Sequence, residues 1–135
     1  MNIDLYFTEF AMDKYAFDII VATRYLSDQS NPDDNEFAFS YTITITNTGT
    51  MPAQLISRHW QIDDANGVRR EVKGLGVVGH QPYMEPGQSF EYTSGTPLET
   101  PTGLMRGSYF FVSEDGERFD VAVKEFALSP PRTLH

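Results

Sequence analysis

The chain has 135 residues, no cysteine, 10 Lys plus Arg against 19 Asp plus Glu, and a formal net charge of −9. That length suits one domain burying its own core, and the lack of cysteine excludes a disulfide framework, a thiolate nucleophile and a sulfur-ligated metal. The acidic balance, with a pI near 4.6, repels phosphate backbones and anionic lipid heads, so neither nucleic acid nor a membrane surface is expected as a direct partner.

The opening MNIDLYFTEF has no basic n-region followed by a long apolar run, and no segment reaches the roughly 18 apolar residues of a membrane span. A soluble, cytoplasmic protein is expected. Residues 1–16 are aromatic-rich and patternless and read as an N-terminal extension, with the domain proper over 17–135. Strand-like alternation then dominates. Ile19, Val21, Thr23 and Tyr25 alternate with Ile20, Ala22 and Arg24 in a first strand with apolar character on both faces. Phe37, Phe39, Tyr41, Ile43 and Ile45 alternate with small or polar residues in the cleanest half-buried strand of the chain, which ends at Asn47-Thr48-Gly49.

Leu55 to Asp63 predicts a third strand, with Ile56, Trp60 and Ile62 on its buried face and Ser57, His59 and Gln61 on the other. Asn66-Gly67 suits the positive φ of a tight primed turn, and Val68 to Lys73 returns antiparallel. Glu85-Pro86-Gly87-Gln88 reads as a turn. Phe90, Tyr92 and Ser94 belong to the next strand, Met105, Tyr109 and Phe111 to another. After Glu114-Asp115-Gly116-Glu117, Phe119, Val121 and Val123 alternate until the apolar phase slips across Lys124-Glu125 to Phe126 and Leu128, which predicts a bulge. Short strands with regular turn signals and no useful helix predict an all-β fold, an antiparallel sandwich of the immunoglobulin or fibronectin type III kind with Trp60 in its core, or a closed barrel of similar strand content.

Gly74-x-Gly76-x-x-Gly79 has the spacing that cradles a dinucleotide pyrophosphate. That use requires a strand feeding into a helix whose N-terminus faces the phosphates, and Pro82 and Pro86 follow too closely for one. The Gly-Lys-Ser/Thr of a phosphate loop is missing as well. What remains is an anion nest of backbone N–H groups beside Lys73, or an irregular backbone path with Val77 and Val78 plugging the sandwich end. Arg69-Arg70 with Lys73 forms the one basic cluster.

Catalytic and metal patterns are thin. Ser57 and His59, two apart on one strand face, are separated by roughly 6 to 7 Å, too far for direct proton transfer, so His59 reads as a hydrogen-bonded structural imidazole. Histidines at 59, 80 and 135 lack zinc spacing. A calcium-loop reading of Asp64-Ala65-Asn66-Gly67 fails because Ile62 and Lys73 stand where acidic ligands belong. No catalytic residue, metal ligand or cofactor is expected.

The blocks SRHWQIDDANG, GLGVVGHQP, EPGQSFEYTSGTPLETPTGLMRGSY and the closing LH, preceded by RYLSDQS and FSYTITITNTG, together resemble the ApaG family from about Ile19 to the C-terminus. The resemblance implies a fibronectin type III-like sandwich and no catalytic activity. It also implies an association with the gene for a diadenosine tetraphosphate hydrolase, with cobalt tolerance and with magnesium efflux, and a recognition role like that of related eukaryotic domains. Members usually begin shortly before the first strand, so LYFTEFAMDKY is extra here.

Two functional readings follow. The first is a non-enzymatic module for an unidentified protein partner, contacting it through the Gly74 to Pro82 loop, Thr93-Ser94-Gly95 and the Thr100 to Gly103 segment. The second is a sensor of phosphate or of a nucleotide at Lys73, Gly74, Gly76, Val77, Val78 and Gly79, with Arg58 or Arg106 neutralising charge. Monomer and dimer are both compatible with the expected edge strands.

Overall fold

A computed structural model describes residues 13–131. The expected extension over 1–16 and the terminal His135 therefore fall largely or wholly outside the described residues. Eight strands run in chain order: β1 (Phe17–Tyr25), β2 (Phe37–Asn47), β3 (Ala53–Asp64), β4 (Arg69–Leu75), β5 (Tyr83–Met84), β6 (Ser89–Leu98), β7 (Gly103–Ser113) and β8 (Arg118–Leu128). Two 3-10 turns, Ser27–Gln29 and Pro32–Asp34, join β1 to β2.

All strand pairs are antiparallel. One sheet has the order β1-β2-β6 and the other β4-β3-β7-β8, with β5 continuing the β4 edge of β3. The strand-bearing residues thus form a two-sheet sandwich. The barrel alternative falls, because β1 is laddered only to β2 and β8 only to β7. Phe37, Phe39, Tyr41, Ile43 and Ile45 all point into the core, as their alternation predicts, and meet Leu55, Trp60, Ile62, Met105, Tyr109, Phe111 and Leu128 from the facing sheet. Trp60 is fully enclosed, with Tyr41, Tyr109 and Phe126 edge-on or tilted against its ring at 5.7 to 6.0 Å. Aromatic edges on aromatic faces add specific attraction to the area they bury.

The predicted bulge in the last strand is present, since Lys124 and Glu125 together oppose Arg106 between the pairs Met105↔Phe126 and Gly107↔Val123. A second bulge was not signalled. β3 shifts register between Leu55, opposite Phe111, and Ser57, opposite Phe110. Leu55 is therefore the buried residue and Ile56 only partly so, which corrects the inward placement of Ile56.

Thr93-Ser94-Gly95 is the middle of β6, paired with Thr42, Tyr41 and Ser40, in line with the strand placement of Ser94, so this candidate contact lies on a strand and not among the loops. One further expectation changes. The Asn66-Gly67 turn is not primed at both positions: among the described non-glycine residues only Asn35 and Val78 have positive φ, so Gly67 alone, at 80°, is left-handed here. Asp64 decides this, because its Oδ1 accepts the Asn66 and Val68 amides at 2.9 and 3.0 Å and holds a longer turn with Gly67 as its left-handed closing residue.

Candidate functional site

The glycine segment begins inside a strand. Gly74 is paired with Arg58, and Leu75, opposite Ser57, ends β4. Alternation puts Arg58 on the same face as Trp60, but near the end of the sheet, where it can leave the core. Its Nη1 donates to the carbonyls of Leu75 and Gly76 at 3.0 and 2.9 Å. A Cβ on residue 74 would stand 2.8 Å from that same nitrogen, so the missing side chain is what lets the guanidinium cross β4.

The chain next makes a miniature hairpin. Val77 and His80 exchange backbone hydrogen bonds at 2.8 and 2.9 Å around Val78 and Gly79, whose φ values are 43° and 83°. Two successive positive φ values are the signature of the primed two-residue turn. Gly76 is required by close approach, since a Cβ there would lie 2.3 Å from the His80 carbonyl oxygen. The unsignalled bulge supports this hairpin: it frees the Ile56 carbonyl to accept the Gly76 amide at 2.8 Å and Gln81 Nε2 at 2.9 Å. Leu55 N–H donates to Pro82 and Gln54 Nε2 to the Gln81 carbonyl.

Val77 is completely buried and does plug the end of the sandwich, whereas Val78 is 52% exposed and does not. Around the tip, Leu75 at 74% and Tyr83 at 50% are also exposed. Their partners Ser57 and Gln54 place both on the outer face of the five-stranded sheet. The His80 ring lies 5.7 Å from that of Phe90 on β6, closing the gap between the sheets. Beneath, the hydroxyls of Tyr92 and Tyr109 meet at 2.5 Å. Burial pushes both phenols well above their ordinary value, and the nearby Arg58 charge opposes that rise.

The other predicted residues are placed elsewhere. Arg106 is held by Asp63 Oδ2 at 3.2 Å and Glu125 Oε1 at 3.0 Å, so its charge is already balanced away from the hairpin. Arg69 grips Asp63 through two bonds of 2.7 and 3.1 Å. These hydrogen bonds, Arg69 first and Arg106 after it, hold the Asp63 carboxyl below its ordinary range despite opposing desolvation. Lys73 is exposed, 3.9 Å from Glu71, which also lies 3.3 Å from His59 Nε2. His59 is thus a surface group on the face opposite Trp60. Thr93 shares a hydroxyl hydrogen bond of 2.7 Å with Thr42. Among the described residues no group of three or more His, Asp or Glu side chains could hold a metal, and no helix is long and apolar enough to cross a membrane.

Sequence comparison decides the kinship. The ApaG domain matches residues 27–113. The chain belongs to the ApaG family. It is 57% identical over 124 residues to Protein ApaG of Ralstonia nicotianae, covering 92% of this chain and all of that one. Protein ApaG of Thiobacillus denitrificans is 57% identical over 122 residues, covering 90% and 96% of the two chains. Among solved structures, the ApaA protein of Bordetella pertussis superposes with a TM-score of 0.88 at 52% identity, covering 90% of this chain and 99% of that one. None of these ApaG names carries an enzymatic activity.

Leu75 and Tyr83 escaped the sequence reading. The available signal was two large apolar residues, one inside the glycine run and one just after it, but strand ends carry too few residues for alternation to assign a face.

Proposed function

We propose that this ApaG-family protein is a non-enzymatic, cytoplasmic interaction module whose glycine hairpin docks a protein partner, with Leu75, Val78 and Tyr83 as apolar anchors. Val78 is the observation that carries the reading. A β-branched residue at φ 43° is conformationally costly, and the hairpin uses it to hold an apolar side chain out in water. Strain of this kind collects at functional sites, and desolvating three exposed apolar groups around one hairpin supplies the driving force for association. On this reading the family's association with cobalt tolerance and magnesium efflux runs through the partner.

The alternative, a small-anion or nucleotide sensor, needs several hairpin amides to converge on a ligand. Those of Gly76, Val77 and His80 already donate to Ile56, His80 and Val77 carbonyls, and Arg58 is committed to Leu75 and Gly76. The test is photo-crosslinking in the native cell from position 78, with position 122 on exposed β8 surface as control. One adduct from position 78 alone, abolished by Leu75→Ser with Tyr83→Ser at unchanged melting temperature, is expected. The same adducts from both positions overturn the docking reading. Pyrophosphate or ATP that shifts the Gly74 to Gly79 amides and raises the melting temperature establishes the alternative instead.

A further inference from the structure

β3 and β4 end, away from the glycine hairpin, in a second concave surface. The turn after Asp64, the end of β6 and the Pro32–Asp34 turn enclose a groove of about 830 Å³, within the roughly 300 to 1,000 Å³ of ordinary ligand sites. Its floor is apolar: Ile62 and Leu98 reach it from the core, Pro97 flanks them, and Val68 stands 62% exposed beside them. Four carboxylates line the same groove, those of Asp34, Glu36, Asp64 and Glu99.

The two arginines of the lining cancel only part of this charge, since Arg70 alone among them is free of a carboxylate partner and stands against four carboxylates. Arg69 is paired with Asp63, which lies outside the groove lining. Arg70 crosses from β4 to β6 and donates through Nη2 to Thr96 Oγ1 at 2.7 Å and the Pro97 carbonyl at 2.8 Å. Asp64 and Asp34 accept local bonds from Asn66, Val68 and Asn31. The carboxylates of Glu36 and Glu99 have no hydrogen-bond or ion-pair partner among the described residues. The groove therefore combines an exposed apolar patch, Val68 and Pro97, with an excess of negative charge at its rim.

We propose that this groove docks an extended protein segment carrying a basic side chain on either side of an apolar one. The apolar side chain covers Val68 and Pro97, while its basic neighbours meet Glu36 and Glu99. Charge complementarity selects the segment, since like charges brought together at an interface are rejected. An acidic or phosphorylated segment meets repulsion. A polyamine meets the rim but leaves the floor wet. The inference is independent of the hairpin, because the two surfaces share no residue.

The probe is the labelled peptide Lys-Arg-Ile-Lys-Arg, read by fluorescence anisotropy against the full chain. Binding that weakens with added salt is expected. Glu36→Gln with Glu99→Gln, both exposed and unpaired and so neutral for folding, lowers affinity about fivefold, as two exposed ion pairs of middling strength do. Replacing the central isoleucine by glycine lowers it further, and backbone shifts appear at Val68 and Glu99 but not at Val78 or Gly79. Absence of binding, insensitivity to the double substitution, equal binding of the glycine peptide or of spermidine, or shifts confined to the hairpin each overturn the proposal.

Discussion

The turn joining β3 to β4 and the hairpin after β4 lie at opposite ends of one sheet edge, and their side chains suit their backbones to very different degrees. In the first, only Gly67 is left-handed, and Asp64 Oδ1 accepts two amides that fix the remaining path. The second has two left-handed residues, of which Val78 is β-branched, a placement that costs on the order of 1 to 2 kcal/mol. In the first turn the one left-handed position is a glycine and an aspartate holds the rest. The second gives up stability to project Val78, and it is assembled from distant parts: the Arg58 guanidinium, the Ile56 carbonyl and the Gln81 side chain. A local turn needs only its own residues, whereas the glycine hairpin needs the finished sheet.

Alanine at the two kinds of glycine gives the largest contrast. At position 76 the new Cβ meets the His80 carbonyl at 2.3 Å with φ at 63°, so backbone must move, at a cost of about 3 kcal/mol or more. At position 67 nothing lies within 4 Å, and only the left-handed conformation is penalised, by about 1 kcal/mol. Urea denaturation of Gly76→Ala and Gly67→Ala measures both. Equal losses would mean that the hairpin is no more tightly built than the turn.

A smaller effect has the opposite sign. Asparagine tolerates the left-handed region far better than valine, so Val78→Asn should raise stability by about 1 kcal/mol in the same assay while reducing crosslinking from the neighbouring Leu75. Destabilisation by this substitution would remove strain from the argument and leave exposure alone to support it.

Sequence pattern was sufficient wherever one strand met one well-defined face. Phe37 to Ile45 announce β2 without ambiguity, and the slip from Val123 to Phe126 reveals the β8 bulge because polar Lys124 and Glu125 mark the lost phase. The β3 bulge left no such mark: Leu55 and Ile56 are both apolar, so either could have faced inward. Phe90 and Tyr92 announced β6, but its small polar run Thr93 to Gly95 could still be taken for a contact segment, because such residues serve equally well in a loop and on the solvated face of an edge strand. Of the candidate site, the three glycines showed that the backbone was unusual, and Pro82 and Pro86 showed that no phosphate-binding helix followed. The role of Arg58 was illegible, because it depends on a pairing with Gly74 created by the fold.

Acid provides the smallest and most selective way to separate the two turns. Beside the Asn66-Gly67 turn, Asp63 ties the end of β3 to the start of β4 through Arg69, and its carboxyl is held below the ordinary range chiefly by Arg69 and then by Arg106. A carboxylate depressed in the folded state stabilises fully above its ordinary value, and that contribution is lost as pH falls through the folded value. No carboxylate side chain among the described residues bonds the Val77 to His80 hairpin. Between pH 5 and pH 2.5 the amides of Asp63 and Arg69 should therefore shift before those of Val77 and Val78, and the acid limb of stability should flatten in Asp63→Asn. Since Asp63 and its partners lie near the surface, the change is modest and shrinks with added salt. Simultaneous movement of both sets of amides would show that acid acts on the sandwich as a whole rather than on the brace beside one turn.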